Sequence, residues 1–144
     1  MTGTAARPLP VVFMFSGQGS QYYGMGRELY AENEVFRAAL ERHDAVVAEE
    51  LGESVLARLF DPNHRRNDPF TDTRLTHPAI VMIELALAET LRSAGVEPDY
   101  LLGSSLGEYA AAAVSGSIAP DTCLRLLVRQ ADGLRAGPAA ACSP

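Results

Sequence analysis

Lysine is absent from this 144-residue sequence; all 12 basic side chains are arginines. That excludes Schiff-base chemistry on a lysine and the lysine of a phosphate-binding loop. Cysteine is scarce too. Cys123 and Cys142 are too few for a disulfide scaffold and lack metal-ligand spacing, so no metal centre is expected and a reducing cytoplasm is the expected compartment. Positive charge is not in excess either: the formal net charge of −6 argues against a nucleic-acid partner. No apolar run is long enough to span a membrane. The longest, Pro78 to Leu91, is interrupted by Glu84 and Glu89. Residues 1–10 lack the apolar core of a signal peptide and read as a disordered amino-terminal segment. No internal repeat or linker divides the chain.

The residues present describe a globular domain with one sizeable core. Val11 to Phe15 is a short continuous apolar run bounded by Pro10 and Ser16, which reads as a buried strand. Helical patterns follow at Met25 to Tyr30, at Glu34 to Glu50 with Val35, Leu40, Val46 and Val47 among charges, and at Glu53 to Phe60. Asp61 to Thr73 is polar and reads as a surface loop. Thr76 is the expected cap of the next helix, with Pro78 in its first turn and Gly95 just past its end; apolar residues cover nearly all its faces. A second strand is expected at Tyr100 to Gly103. After a break at Ser115 to Ser117, Pro120 and Asp121 open a last helix with Leu124, Leu127, Val128, Ala131 and Leu134 on its apolar face. Residues 136–144 form an irregular tail without an element signal. The fold class is α/β, with the core over residues 11–135.

Two glycine-rich turns carry the chemistry. Gly103-Ser-Ser-Leu-Gly107 fits Gly-x-Ser-x-Gly, the strand-to-helix turn that exposes a serine hydroxyl. The alanine-rich segment behind Ser105 continues it as a close-packed helix, whose free N–H groups and positive dipole end face the reacting centre. Gly17-Gln-Gly-Ser-Gln21 follows the first strand at its carboxyl end, the edge where open α/β sheets bind ligands.

Joined by Thr76-His-Pro-Ala79, Pro98-Asp99 and Glu108, these turns resemble the malonyl/acyl-CoA:acyl-carrier-protein transacylases, the acyltransferases of fatty-acid and polyketide synthesis. The resemblance runs from Val11 to Ala131. It implies the amino-terminal part of an α/β-hydrolase-like acyltransferase core, with parallel strands and helices on both faces, and with the family's ferredoxin-like subdomain missing. It also implies roles: Ser105 as the nucleophile that takes the acyl group, and the backbone N–H groups of Gln18 and Leu106 as the oxyanion hole. The implied partners are acyl-CoA, a substrate rather than a cofactor, and an acyl carrier protein with its phosphopantetheine arm. The family's base is a histidine well downstream of the serine, which this sequence does not reach.

His43, in a charged helix, and His64, in the polar loop, read as solvated surface residues. His77 stands where relatives often carry glutamine; lining the site, capping or packing its helix, and acting as base all remain open. Two further departures concern specificity. Gln130 occupies the position at which malonyl-selective members carry an arginine that grips the free carboxylate. Its neighbour Arg129 is about 100° away around the helix and points from the apolar face towards solvent. Ser104 stands where most relatives have histidine before the nucleophile. Together Gln130 and Ser104 resemble the divergent stand-alone branch that accompanies polyketide assembly lines. The expected function is acyl transfer from CoA or a carrier-protein thioester, through an acyl-serine, to a carrier-protein thiol. Alternatives are carrier-protein thioester hydrolysis and a silent truncated chain that only binds acyl-CoA or carrier protein. An unrelated serine esterase would explain the Ser105 turn but not Gly17 to Gln21.

Overall fold

The computed structural model describes residues 8–135. In chain order it contains β1 (Val12–Phe15), α1 (Arg27–Glu32), α2 (Glu34–Leu51), α3 (Val55–Leu59), α4 (Thr73–Ser93), β2 (Tyr100–Gly103), α5 (Gly107–Val114) and α6 (Pro120–Arg135). Most of the expected 1–10 segment and all of the 136–144 tail lie outside the described residues. So do Cys142 and the side chain of Leu134.

β1 and β2 pair in parallel, with Val12 opposite Tyr100 and Phe15 opposite Gly103. The register is pinned where the strands begin: the Val11 N–H donates to the Asp99 carboxylate at 2.7 Å, and the Asp99 N–H donates to the Val11 carbonyl at 2.8 Å. Parallel strands need a long crossover, and α1 to α4 supply it. The result is the expected α/β arrangement of parallel strands flanked by helices, but among the described residues the cover lies on one face, where helices on both faces were expected. Phe13 and Phe15 face inward and are buried, while Val12, Met14, Tyr100 and Leu102 share the open face.

α4 is the central element and packs against α2, α3, α5 and α6. Nearly all its residues from Leu75 to Ala86 are buried, as its all-round apolar pattern implies. Its start differs from expectation. Asp72, not Thr76, is the cap: its carboxylate accepts from the Arg74 N–H at 3.1 Å. The helix therefore gains a turn, Thr76 is buried inside it, and Pro78 lies in the helix rather than in its first turn. Burial of Leu75 and Pro78 offsets the backbone bond that proline removes. The end is as expected, with the Val96 N–H returning past Gly95 to the Leu91 carbonyl at 2.9 Å.

α2 buries Phe36, Ala39, Leu40, His43, Val46, Val47 and Leu51, a stripe at helical spacing. Val35 lies off this stripe and is exposed. His43 is a correction: it is 1% exposed, not solvated. Its Nε2 lies 3.0 Å from Glu89 of α4, whose carboxylate Arg42 also holds. His64 keeps its place in the polar loop, stacked on Tyr23 with ring centroids 4.2 Å apart.

α6 buries Leu124, Leu127, Val128 and Ala131, as its pattern requires. Its outer side is tied down by charge. Arg129 donates to Glu50 of α2 at 2.9 and 3.1 Å, Arg125 bonds to Glu49 and Glu50, and Arg74 of α4 pairs with Asp132 at 2.9 Å. No helix among the described residues is long and apolar enough to cross a membrane.

Candidate active site

β2 runs into the serine turn without slack. The Ser104 N–H donates to Phe15 of β1 at 3.0 Å, and the N–H groups of Gly107 and Glu108 close the turn on the carbonyls of Ser104 and Ser105 at 2.9 and 3.0 Å. Ser105 takes φ 55°, the one positive φ outside glycine among the described residues. Such a backbone costs roughly 1–3 kcal/mol and persists only where its surroundings over-determine it. Here they do. Gly107 lies so close to β1 that an added Cβ would stand 2.8 Å from the Ser16 carbonyl oxygen and collide with Phe15. Ser105 itself is exposed, and α5 begins two residues after it.

The Gly17 to Gln21 loop packs directly on this turn. A Cβ at Gly17 would stand 2.6 Å from the Ser104 carbonyl oxygen, 2.8 Å from Ser105 Cβ and 3.4 Å from Ser105 Oγ. Glycine is required there because backbone meets backbone. The loop is braced from within. The Ser20 N–H and hydroxyl both donate to the Gly17 carbonyl, at 3.3 and 2.9 Å, and the Gly19 N–H donates to Gln21 Oε1 at 2.8 Å. Gln21 in turn donates to the Phe70 carbonyl at 3.2 Å. Amid this bonding, the N–H groups of Gln18 and Leu106 have no intramolecular acceptor among the described residues.

Gln130 and Arg129 lie on α6. Tyr109 of α5 donates its hydroxyl to Gln130 Oε1 at 2.7 Å. Gln130 is therefore held by Tyr109 of α5, while Arg129 is engaged on Glu50. Ser104 is exposed, and its hydroxyl makes no hydrogen bond among the described residues. His77 is half-buried near the start of α4; burial pushes its pKa down, and its Nε2 is shut from solvent without a partner. No side chain among the described residues hydrogen-bonds Ser105 Oγ. Cys123 is fully buried, and that burial pushes its thiol up to about 11. No group of three or more His, Cys, Asp or Glu among the described residues is placed to hold a metal.

Sequence reasoning missed the support behind the loop. Glu84 of α4 is 8% exposed, and its Oε1 lies 3.0 Å from the Ser16 hydroxyl. Burial raises its pKa to about 7 against the hydrogen bonding of Ser16. The available signal was a carboxylate interrupting the longest apolar run of the sequence.

Residues 12–134 match the family model described as acyl transferase domain. The chain is 51% identical over 122 residues to the polyketide biosynthesis acyltransferase homolog PksD of Bacillus subtilis, covering 85% of this chain and 38% of that protein. Among solved structures it superposes on the acyl transferase domain of SpnD, in complex with 2-(pent-4-yn-1-yl)malonyl, with TM-score 0.80 and 36% identity, over 89% of this chain and 30% of the other. It also superposes on the malonyl-CoA:ACP transacylase of Synechocystis, with TM-score 0.71 and 32% identity, over 86% and 39% of the two chains. The chain thus spans well under half the length of the relatives it matches. With the serine turn, the glycine loop packed on it and a match over residues 12–134, the chain belongs to the acyl transferase domain family.

Proposed function

We propose that this chain carries the nucleophile and the oxyanion hole of an enzyme that moves an acyl group from a CoA or carrier-protein thioester to the phosphopantetheine thiol of an acyl carrier protein. The observation that carries this reading is the packing of Gly17 on Ser105, with the Gln18 and Leu106 N–H groups both without an acceptor among the described residues. In the first half-reaction Ser105 Oγ attacks the thioester carbonyl. The C–S bond breaks, the donor thiol leaves, and an acyl-serine ester remains. In the second, the carrier thiol attacks that ester and Ser105 is regenerated. Each attack places negative charge on the carbonyl oxygen, and the two free N–H groups are the donors that meet it. Loss of one such donor typically slows acyl transfer by about 100- to 1000-fold. The proton of Ser105 needs an acceptor that no described side chain supplies, so this chain alone is expected to turn over poorly.

The acyl group is expected to be uncharged. Gln130, bonded to Tyr109, offers an amide where a free carboxylate would require a cation. The test is a hybrid that joins this chain to the remaining part of the Bacillus subtilis relative, assayed for kcat/KM with malonyl- and acetyl-CoA and a carrier protein. The hybrid is expected to show no malonyl preference, and Gln130→Arg to shift the ratio towards malonyl by at least about tenfold, or ~1.4 kcal/mol. A hybrid that strongly prefers malonyl, and loses that preference in Arg129→Ala, contradicts the assignment. Product released to water rather than to the carrier would identify a hydrolase.

A further inference from the structure

Glu84 stands at one end of a chain of three contacts that ends on the glycine loop. Glu84 Oε1 lies 3.0 Å from Ser16 Oγ, Ser16 Oγ lies 3.0 Å from Ser20 Oγ, and Ser20 Oγ lies 2.9 Å from the Gly17 carbonyl oxygen. Each hydroxyl brings a single proton. An ionised Glu84 only accepts. The carboxylate then holds the Ser16 proton, so the Ser20 proton must choose between Ser16 and the Gly17 carbonyl, and one of those two bonds is lost. A protonated Glu84 supplies the third proton. Glu84 then donates to Ser16, Ser16 to Ser20, and Ser20 to the Gly17 carbonyl, so all three bonds are made in one direction.

The surroundings favour the protonated form. Glu84 Oε2 is sealed from solvent and has no partner, a heavy cost for a charged carboxylate and a smaller one for a neutral acid. The grooves over Glu84 are lined from β1, the 16–26 segment, α1, α2 and α4, mainly by apolar side chains such as Met14, Met25, Ile80 and Leu87. Tyr22 is the only other titratable group in those linings, and no arginine or histidine faces the carboxyl from them. Burial accordingly raises its pKa to about 7, outweighing the Ser16 hydroxyl and the Ser16 backbone N–H, which both pull it down.

The far end of the chain gives it meaning. The Gly17 carbonyl and the Gln18 N–H are the two ends of one planar trans peptide group. The Ser20 N–H holds that oxygen at 3.3 Å whatever the state of Glu84, and the shorter hydroxyl bond at 2.9 Å is the added anchor that fixes the plane and aims the N–H the opposite way. We propose that Glu84 is a positioning residue that, when protonated, donates through Ser16 and Ser20 to the Gly17 carbonyl and so holds the Gln18 N–H in its oxyanion-binding direction. The catalytic meaning rests on the role proposed above for Gln18; the proton chain does not.

The experiment is an NMR titration of the full chain across neutral pH, following the Glu84 carboxyl carbon and the Gln18 amide. Both are expected to move with one midpoint near 7. In Glu84→Gln, whose amide donates in place of the acid, the Gln18 amide should stay at its low-pH position throughout. In Ser20→Ala, Glu84 should still titrate while Gln18 no longer follows. A Glu84 midpoint in the ordinary carboxylate range, or a Gln18 amide that ignores Glu84, or coupling that survives in Ser20→Ala, overturns the proposal. If Glu84→Gln does not fold, the parent and Ser20→Ala titrations decide alone. Coupled titration in a protein whose Ser105 accepts no acyl group would leave the proton chain standing and remove the reading of Gln18.

Discussion

Ser105 is placed by contacts that only particular residues permit. Its left-handed backbone, the glycine that packs on it and the two N–H groups that find no acceptor among the described residues form one arrangement, in which a change of one carbon is felt. Gly17→Ala tests this. A methyl group 2.6 Å from the Ser104 carbonyl oxygen must displace the loop, and the Gln18 N–H moves with it. In the hybrid enzyme we expect a loss of about 100-fold in kcat/KM, with far-ultraviolet circular dichroism unchanged; activity within about threefold of the parent would show that the loop has slack. These residues were legible in the sequence because their glycines are position-specific. The Ser16–Ser20–Glu84 chain was not, since its carboxylate lies 68 residues from the hydroxyl it meets. Gln130 shows the same limit: its position was legible, but the Tyr109 hydroxyl that holds it was not.

At the scale of elements, α2 and α4 carry buried titratable groups whose effects on stability oppose one another. Burial lowers the pKa of His43 from its ordinary 6.5, against the pull of Glu89. The unfolded chain therefore binds the proton more readily, and this contribution to stability falls as pH drops through about 6.5. His77, lowered by burial, acts in the same direction. Glu84 is raised from 4.5 to about 7, so the folded chain binds its proton more tightly. Its contribution falls as pH rises from about 4.5 to about 7, by about 3 kcal/mol in all. Urea midpoints between pH 7 and 5.5 should separate them. Glu84→Gln should steepen the loss on acidification, and His43→Leu should flatten it; identical slopes in all three proteins would contradict both assignments. The sequence showed the helices themselves, because apolar spacing survives without tertiary knowledge. It did not show that His43 occupies the buried stripe beside Leu40 and Val47, because its partner Glu89 is 46 residues away. The start of α4 was misplaced for a related reason: Pro78 suggests a first turn, and only burial of Leu75 and Thr76 reveals the earlier cap at Asp72.

At the scale of the whole molecule, the described residues cover the sheet on one face. Val12, Met14, Tyr100 and Leu102 are 45%, 75%, 64% and 56% exposed and lie side by side in the parallel register. Leu87 and Leu91 of α4 extend the apolar surface along the groove beside β1. Contiguous apolar surface of this kind drives association. Sedimentation velocity on the chain should show concentration-dependent oligomers, and Met14→Glu with Leu102→Glu should shift them towards monomer. A monodisperse parent with a sharp thermal transition would contradict this expectation.

The central claim is that Ser105 takes the acyl group. Intact-mass analysis with peptide mapping, on the hybrid enzyme incubated with acetyl-CoA before carrier protein is added, tests it most directly. The expected result is a single acetyl group on the peptide containing Ser105, absent in Ser105→Ala and discharged on addition of carrier protein as the carrier gains the same mass. An acetyl group on any other residue, or carrier acylation that persists in Ser105→Ala, would contradict it.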